Sequence, residues 1–314
     1  MSLPKVICLS GPTASGKTDL AIALGETFPC SIISVDSAMV YRGMDIGTAK
    51  PDAATLARAP HQLVDIRDPW ETYSAGDFCA DAVREINAAV AAGKTPLLAG
   101  GTMMYFHALQ NGLAELPEAD AEVRAGIDER ARAEGWPALH AELQKLDSVA
   151  AEKINPTDAQ RIQRALEVCY LSGEPISELQ KNTRPALEAE FINIGLFPED
   201  RTLLHERIAR RFDVMLADGF QDEVRGLLEL PQMTPEAVSL RSVGYRQMTD
   251  YLTGACDLDE AREKAIVATR RLAKRQMTWM RSMAGLRRLD CLSADLPAQA
   301  SQILAAAGLS VESV

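Results

Sequence analysis

The chain has 314 residues, 47% hydrophobic and 25% charged, with a formal net charge of −11. That composition excludes a disordered tail, a collagen-like fibre and a low-complexity linker, and the acid excess does not advertise nucleic-acid binding. No stretch approaches the roughly 18 consecutive apolar residues of a membrane span. The opening Met1–Lys5 also lacks an apolar leader, so a cytoplasmic protein with no membrane attachment is expected.

In chain order, Pro4–Ser10 is a short apolar run that reads as a buried parallel strand, followed by a glycine turn and a helical pattern from Gly16 to about Thr27. Ser31–Val35 reads as a second strand and Gln62–Ile66 as a weaker one. Phe78–Ala92 has the spacing of an amphipathic helix, with Phe78, Ala82, Val83, Ile86 and Val90 on one face, and Thr95–Ala99 is a further strand. From about Pro117 to Pro185 there is no convincing strand, only helical spacing. Phe191–Phe197 restores a strand, and about 200–285 is helical again. The expected fold class is α/β: a P-loop NTPase-like parallel sheet flanked by helices, with a helical insertion domain and a helical C-terminal part. The expected domains are a core of residues 1–116 and 186–290, a helical insertion of 117–185, and a tail of 291–314.

Gly11-Pro12-Thr13-Ala14-Ser15-Gly16-Lys17-Thr18 matches G-x-x-x-x-G-K-[ST] between a strand and a helix. Its glycines let backbone N–H groups turn toward a phosphate, and the helix that follows points its positive end at the same place. Lys17 is expected to reach the outer phosphate and the Thr18 hydroxyl to help hold Mg²⁺. Such a cradle does not say what is done with the phosphate. The Thr95–Ala99 strand ends in Gly100-Gly101-Thr102, where an ATPase usually has an aspartate, whereas the second strand ends in Asp36. The cysteines at 8, 30, 79, 169, 256 and 291 form no Cys-x-x-Cys pair, so free thiols in a reducing compartment are expected. The charge is segregated: Lys264–Arg288 holds Lys264, Arg270, Arg271, Lys274, Arg275, Arg281, Arg287 and Arg288 with no acid.

Gly11–Thr18, Asp36-Ser37, Val40–Pro51, Tyr73–Phe78 and Gly100–Tyr105 together resemble the tRNA dimethylallyltransferases. The resemblance continues through Asn155–Asp158, Arg161, Arg164–Glu167, Gly219-Phe220, Val243–Gln247 and Lys274–Trp279. It implies transfer of a dimethylallyl group from its diphosphate to N6 of the adenosine 3′ to the anticodon, assisted by Mg²⁺, with release of diphosphate. The partners it implies are dimethylallyl diphosphate and the tRNA anticodon stem-loop, and a monomer is expected. Ala38-Met39 stand where family members often carry Gln or Leu. The eukaryotic zinc finger has no Cys/His framework here, so the bacterial form fits better.

Adenine N6 is a poor nucleophile, and its attack needs a carboxylate to orient the N–H and accept the proton. Asp36 is the candidate, with a strand-end cap or a Mg²⁺-water ligand as its other possible role. Charge grows on the leaving diphosphate, where Lys17 and the loop N–H groups would meet it. By resemblance Arg211 and Thr13 join them. Thr102, on a strand-end glycine turn, is the second catalytic candidate, its hydroxyl placed to bond the adenine or the phosphate, with a helix N-cap as its other reading. The reactive base must leave its stack, so the RNA must be gripped beyond it. The candidate tRNA-binding residues are Asp36, Ser37, Ala38, Met39, Thr102, Arg124, Gln160, Arg161, Ile162, Gln163, Arg164, Arg241, Gly244, Tyr245, Arg246, Lys274 and Arg275, with a solvated salt bridge as the other reading for any one arginine. Tyr245 and Trp279 are candidates for stacking on bases, with core packing as the alternative. Three other readings stand beside this one: a small-molecule P-loop kinase, a prenyltransferase acting on free adenine nucleotides, and a non-catalytic RNA-binding protein.

Overall fold

A computed structural model describes residues 3–309. The chain forms two compact units, one of the residues up to Gln110 together with those from Leu187 onward, the other of Asn111–Ala186.

The larger unit is built on six parallel strands in the spatial order His61–Gln62, Cys30–Val35, Thr95–Gly100, Lys5–Ser10, Glu190–Phe197, Arg287–Asp290. Lys5–Ser10 lies inside the sheet, and Val6–Leu9 are fully buried, which is why it reads as an unbroken apolar run. Strand side chains alternate between faces. Val6, Cys8, Ile33, Val35 and Leu98 join one core cluster with the helices Ala75–Ala91 and Arg201–Ala217. Ile7, Leu9, Ile32, Leu97 and Ile194 join another with Lys17–Thr27 and Leu296–Ala306.

Three expectations change. The weak strand is only His61–Gln62, because Leu63 and Asp65 take left-handed backbone conformations, and Ile66 and Arg67 donate instead to the Val40 carbonyl. The helix expected from Phe78 starts at Ala75, where Ser74 and Asp77 form a reciprocal cap, and Val90 faces outward. The expected tail is structural: Leu296–Ala306 is a helix that buries Leu296, Ala300 and Leu304 in the core. Residues 310–314 of that expected tail lie outside the described residues.

The basic segment Lys264–Arg288 is divided between a helix and an edge strand. The Leu258–Arg281 helix starts on an Asp257 cap with Asp259 and Glu260 in its first turn and gathers its cations toward the C-terminus, the arrangement its dipole favours. Lys264 pairs with Glu260 at 2.7 Å, and Arg287 and Arg288 belong to the edge strand. The guanidinium carbons of Arg281 and Arg288 lie 5.9 and 5.3 Å from the Phe197 ring centroid.

The smaller unit packs the helices Ala121–Glu134, Trp136–Leu146, Ser148–Lys153, Ala159–Ser172 and Ile176–Leu179 around Ile127, Leu139, Leu143, Ile162 and Leu166. Leu113–Ala114 and Thr183–Arg184 pair antiparallel at its chain entry and exit. Glu167 is fully buried and accepts from Arg124 at 2.8 and 3.1 Å, Arg164 at 2.6 Å and the Asp120 N–H at 2.9 Å. Burial pushes the Glu167 carboxyl up, but the bonds from Arg124, Arg164 and Asp120 outweigh it and hold it below the usual range. A depressed carboxyl contributes stability that is present above its unfolded-state pKa and lost as pH falls through the folded one. Glu167→Gln strips that charge and leaves two arginines facing a neutral amide. Because both are partly exposed, the cost is expected toward the lower end of the about 3–5 kcal/mol for breaking a buried pair. Amide exchange should quicken across 121–172 and not in the six-stranded sheet, and acid should cost the variant less than the wild type. Unchanged exchange would contradict this.

Candidate active site

The C-terminal ends of three neighbouring strands carry the site, the place where open α/β sheets bind ligands. Lys5–Ser10 runs into Gly11, where a Cβ would lie 2.6 Å from Ser15 Oγ and 3.1 Å from Leu196 Cβ, so a side chain there would displace the Ser15 hydroxyl from the loop. Ala14 and Gly16 take left-handed φ values of 63° and 77°. The helix from Lys17 has no side-chain cap, which leaves its first N–H groups without a side-chain acceptor where the loop ends. Ser15 Oγ is buried without a hydrogen-bond partner in the protein, an unusual state for a buried hydroxyl and one an anion would relieve.

Asp36 stands at the end of the Cys30–Val35 strand. Its Oδ1 accepts from Ala38 N at 2.8 Å and Met39 N at 3.2 Å, while Oδ2 carries neither bond. On the neighbouring strand Gly100 is required, since a Cβ would lie 2.0 Å from the Val35 carbonyl oxygen. That same carbonyl accepts from Gly101 N and Thr102 N at 3.2 Å each. Thr102 Oγ1 then accepts from Ser37 N at 3.1 Å. The two strand ends are therefore stitched together on either side of the Asp36 carboxylate.

Lys17 Nζ donates to the Pro12 carbonyl at 3.3 Å. Burial of the ammonium and the nearby Arg211 lower its pKa to about 8, against the pull of Asp36. Burial also lowers the Arg211 pKa, again opposed by Asp36. Two cations thus feel the field of one carboxylate, which leaves a local positive excess for an anion. Arg211 Nη2 donates to the Thr48 carbonyl at 3.2 Å, so the 41–50 loop sets its position. That loop is wound on Lys50, whose ammonium bonds Tyr41 O, Asp45 and Asp65 at 2.9, 2.5 and 2.6 Å. It is pinned from outside by Glu223, which accepts from Asp45, Ile46 and Gly47 N–H at 2.9, 2.6 and 3.1 Å. Lys50 lies within the Val40–Pro51 motif with partners 5–15 residues away, whereas Glu223 has no signal in the sequence, because its partners in that loop lie more than 170 residues away along the chain.

The remaining predicted residues divide by burial. Tyr245 is fully enclosed and donates its hydroxyl to Glu223 Oε1 at 2.6 Å, so it does not stack on a base. Gly244 is buried as the start of that helix, and its N–H is capped by Gln247. Ile162 is a core residue of the smaller unit and has no face to offer RNA. Arg124 and Arg164 are held by Glu167, and Gln163 donates to Asp128 at 2.6 Å. Gln160 and Arg161 are exposed, as are Arg241 and Arg246. Lys274 and Arg275 are exposed too, and with Arg271, Thr278 and Trp279 they line an open concavity of about 380 Å³ on the long helix.

A family model described as IPP transferase matches residues 39–283. The chain is 53% identical over 306 residues to a tRNA dimethylallyltransferase of Thiobacillus denitrificans, covering 98% of each. This chain belongs to the IPP transferase family. The family match begins just after Asp36, but the Thiobacillus relative and one of Bordetella pertussis, 52% identical over 96% of this chain and 97% of its own, span nearly full length. Among solved structures, a tRNA isopentenylpyrophosphate transferase of Bacillus halodurans is 34% identical, with a TM-score of 0.68 over 97% of this chain and 98% of that one. A eukaryotic dimethylallyltransferase described as acting on tRNA gives a TM-score of 0.80 at 26% identity, covering 99% of this chain and 81% of its own. In this chain the loop, the Asp36 strand end and the Gly100–Thr102 turn stand together at adjoining strand ends. No helix of the described residues is long and apolar enough to cross a membrane.

Proposed function

We propose that this chain transfers a dimethylallyl group from dimethylallyl diphosphate to N6 of the adenosine 3′ to the anticodon of tRNA, releasing diphosphate, as a cytoplasmic monomer. The observation that carries the reading is the pairing of an anion cradle and an unpaired carboxylate oxygen, Asp36 Oδ2, at adjoining strand ends. The naming of near full-length relatives as tRNA dimethylallyltransferases supports it.

In this reading the loop N–H groups, Ser15 Oγ and Lys17 hold the diphosphate, with Thr13 and Arg211 beside them. As the allylic C–O bond lengthens, negative charge grows on the leaving oxygen, where Lys17 and Arg211 are aimed. N6 attacks the allylic carbon, and its proton passes to Asp36 Oδ2. The bonds from Ala38 and Met39 to Oδ1 fix the direction in which Oδ2 points. Ser37, Ala38, Met39 and Thr102 surround the position the base would take. The donor set suits Mg²⁺: Thr18, in the first turn of the helix that closes the loop, offers a hydroxyl, and Mg²⁺ commonly binds through one or two protein oxygens plus substrate phosphates. When bound, the metal would neutralise charge on the diphosphate.

The RNA grip falls to the exposed cations Arg161, Arg241, Arg246, Lys274 and Arg275. Affinity for an anticodon stem-loop should fall steeply with salt despite the net charge of −11. Neutralising Lys274 and Arg275 to Gln should flatten the log–log slope by roughly 0.7–0.9 for each phosphate that is no longer neutralised. Affinity for the prenyl diphosphate should hold. An unaltered slope would remove the long helix from the footprint, and a salt-insensitive wild type would favour a free-nucleotide acceptor.

A further inference from the structure

Gln276 sits one residue beyond Arg275, yet it points the other way. Lys274, Arg275 and Trp279 face outward, while Gln276 lies inward at 8% exposure among Ala273, Met277 and Met280. A buried amide is costly unless both ends are satisfied, and an apolar side chain like its neighbours would avoid the cost. Both ends are satisfied, and by two separate loops. Oε1 accepts from Thr13 N at 3.0 Å, and Nε2 donates to the Gly101 carbonyl at 2.9 Å. The reversed amide would set donor against donor and acceptor against acceptor, so its orientation is fixed. Gly101 makes room for it: a Cβ there would lie 2.5 Å from Gln276 Nε2.

Each loop leads to one half of the chemistry. Thr13 belongs to the diphosphate cradle. Gly101 precedes Thr102, whose hydroxyl accepts the Ser37 N–H, and Ser37 follows Asp36. One side chain therefore braces the leaving-group cradle and the Asp36 strand end from the helix that offers its cations outward.

Resting on the reading above, we propose that Gln276 is a positioning residue that couples tRNA on the outer face of the Leu258–Arg281 helix to prenyl diphosphate in the cradle. RNA held by Lys274 and Arg275 fixes the helix turn that carries the amide. The amide in turn holds the Thr13 N–H and the Gly101–Thr102 turn in their bound arrangement. Coupling of this kind is reciprocal, so each substrate tightens the other by the same factor.

The test measures the Kd of a non-transferable thiolo analogue of dimethylallyl diphosphate, with and without saturating anticodon stem-loop. In the wild type the stem-loop should tighten the analogue by at least about fivefold, the lower end of usual coupling energies. Gln276→Met keeps the side-chain length and removes both bonds. Its coupling factor should fall to near one while stem-loop affinity measured alone is retained. Gly101→Ala displaces the amide with Gln276 intact. It should lose coupling to a similar extent, and the double variant should lose no more than either single one. Full coupling retained in Gln276→Met, or additive losses in the double variant, would overturn the proposal. A wild type that binds both ligands without coupling would overturn it while leaving the proposed reaction standing. A wild type that binds no stem-loop would overturn both.

Discussion

Asp36→Asn is expected to lower kcat by about 10²–10⁴-fold, the usual worth of a general base, while both substrates still bind. An asparagine oxygen can accept from Ala38 and Met39 as Asp36 Oδ1 does, so the turn that follows the strand should keep its shape. The Thr102–Ser37 bond does not involve the carboxylate and should persist. What disappears is the proton acceptor, an interaction made as the C–N bond forms, so kcat and kcat/KM should fall together. Removing the carboxylate also leaves Lys17 and Arg211 unopposed, so affinity for the prenyl diphosphate should hold or rise. If Asp36 served chiefly to anchor Mg²⁺, the variant would instead lose diphosphate affinity, and excess metal would restore its rate. Single-turnover transfer across a Mg²⁺ titration separates the two. A rate within about threefold of wild type, or one rescued by metal, contradicts the base assignment.

Lys17→Ala should damage both KM for the prenyl donor and kcat. The ammonium is kept in a partly dehydrated place where burial and Arg211 already lower its pKa to about 8. An arriving diphosphate meets that charge in the ground state and more strongly as the leaving group departs. Losing one such donor typically costs about 10²–10³ in kcat. Stem-loop affinity measured without the prenyl donor should be preserved. A variant with normal kcat and only a raised KM would show that Lys17 binds the donor without assisting its departure.

How much of this was legible in the sequence depended on whether the demand was local. The cradle was readable because each position answers a backbone requirement: glycine at 11 and 16 for closure, Lys17 and Thr18 at the helix start. Asp36 was readable because it ends an apolar run beside a strand that ends without an acid. Which face a residue presents was not readable. Tyr245 and Ile162 sit within motifs that resemble functional ones, yet both are core. For Arg164 a signal existed, since Glu167 stands three residues on and i,i+3 pairs meet on a helix. Arg124 and Glu223 gave none, because their partners come from distant segments. The Leu296–Ala306 helix escaped notice because its alanines blur the contrast between buried and exposed faces, although Ala300 packs as tightly as Leu304.

The proposed reaction is tested most directly by following label from radiolabelled dimethylallyl diphosphate with three acceptors in parallel: an anticodon stem-loop, AMP, and neither. Label is expected in the stem-loop, on N6 of the adenosine 3′ to the anticodon, with one diphosphate released for each group transferred. Label in AMP with none in the stem-loop, or diphosphate released equally without any acceptor, would contradict transfer to tRNA.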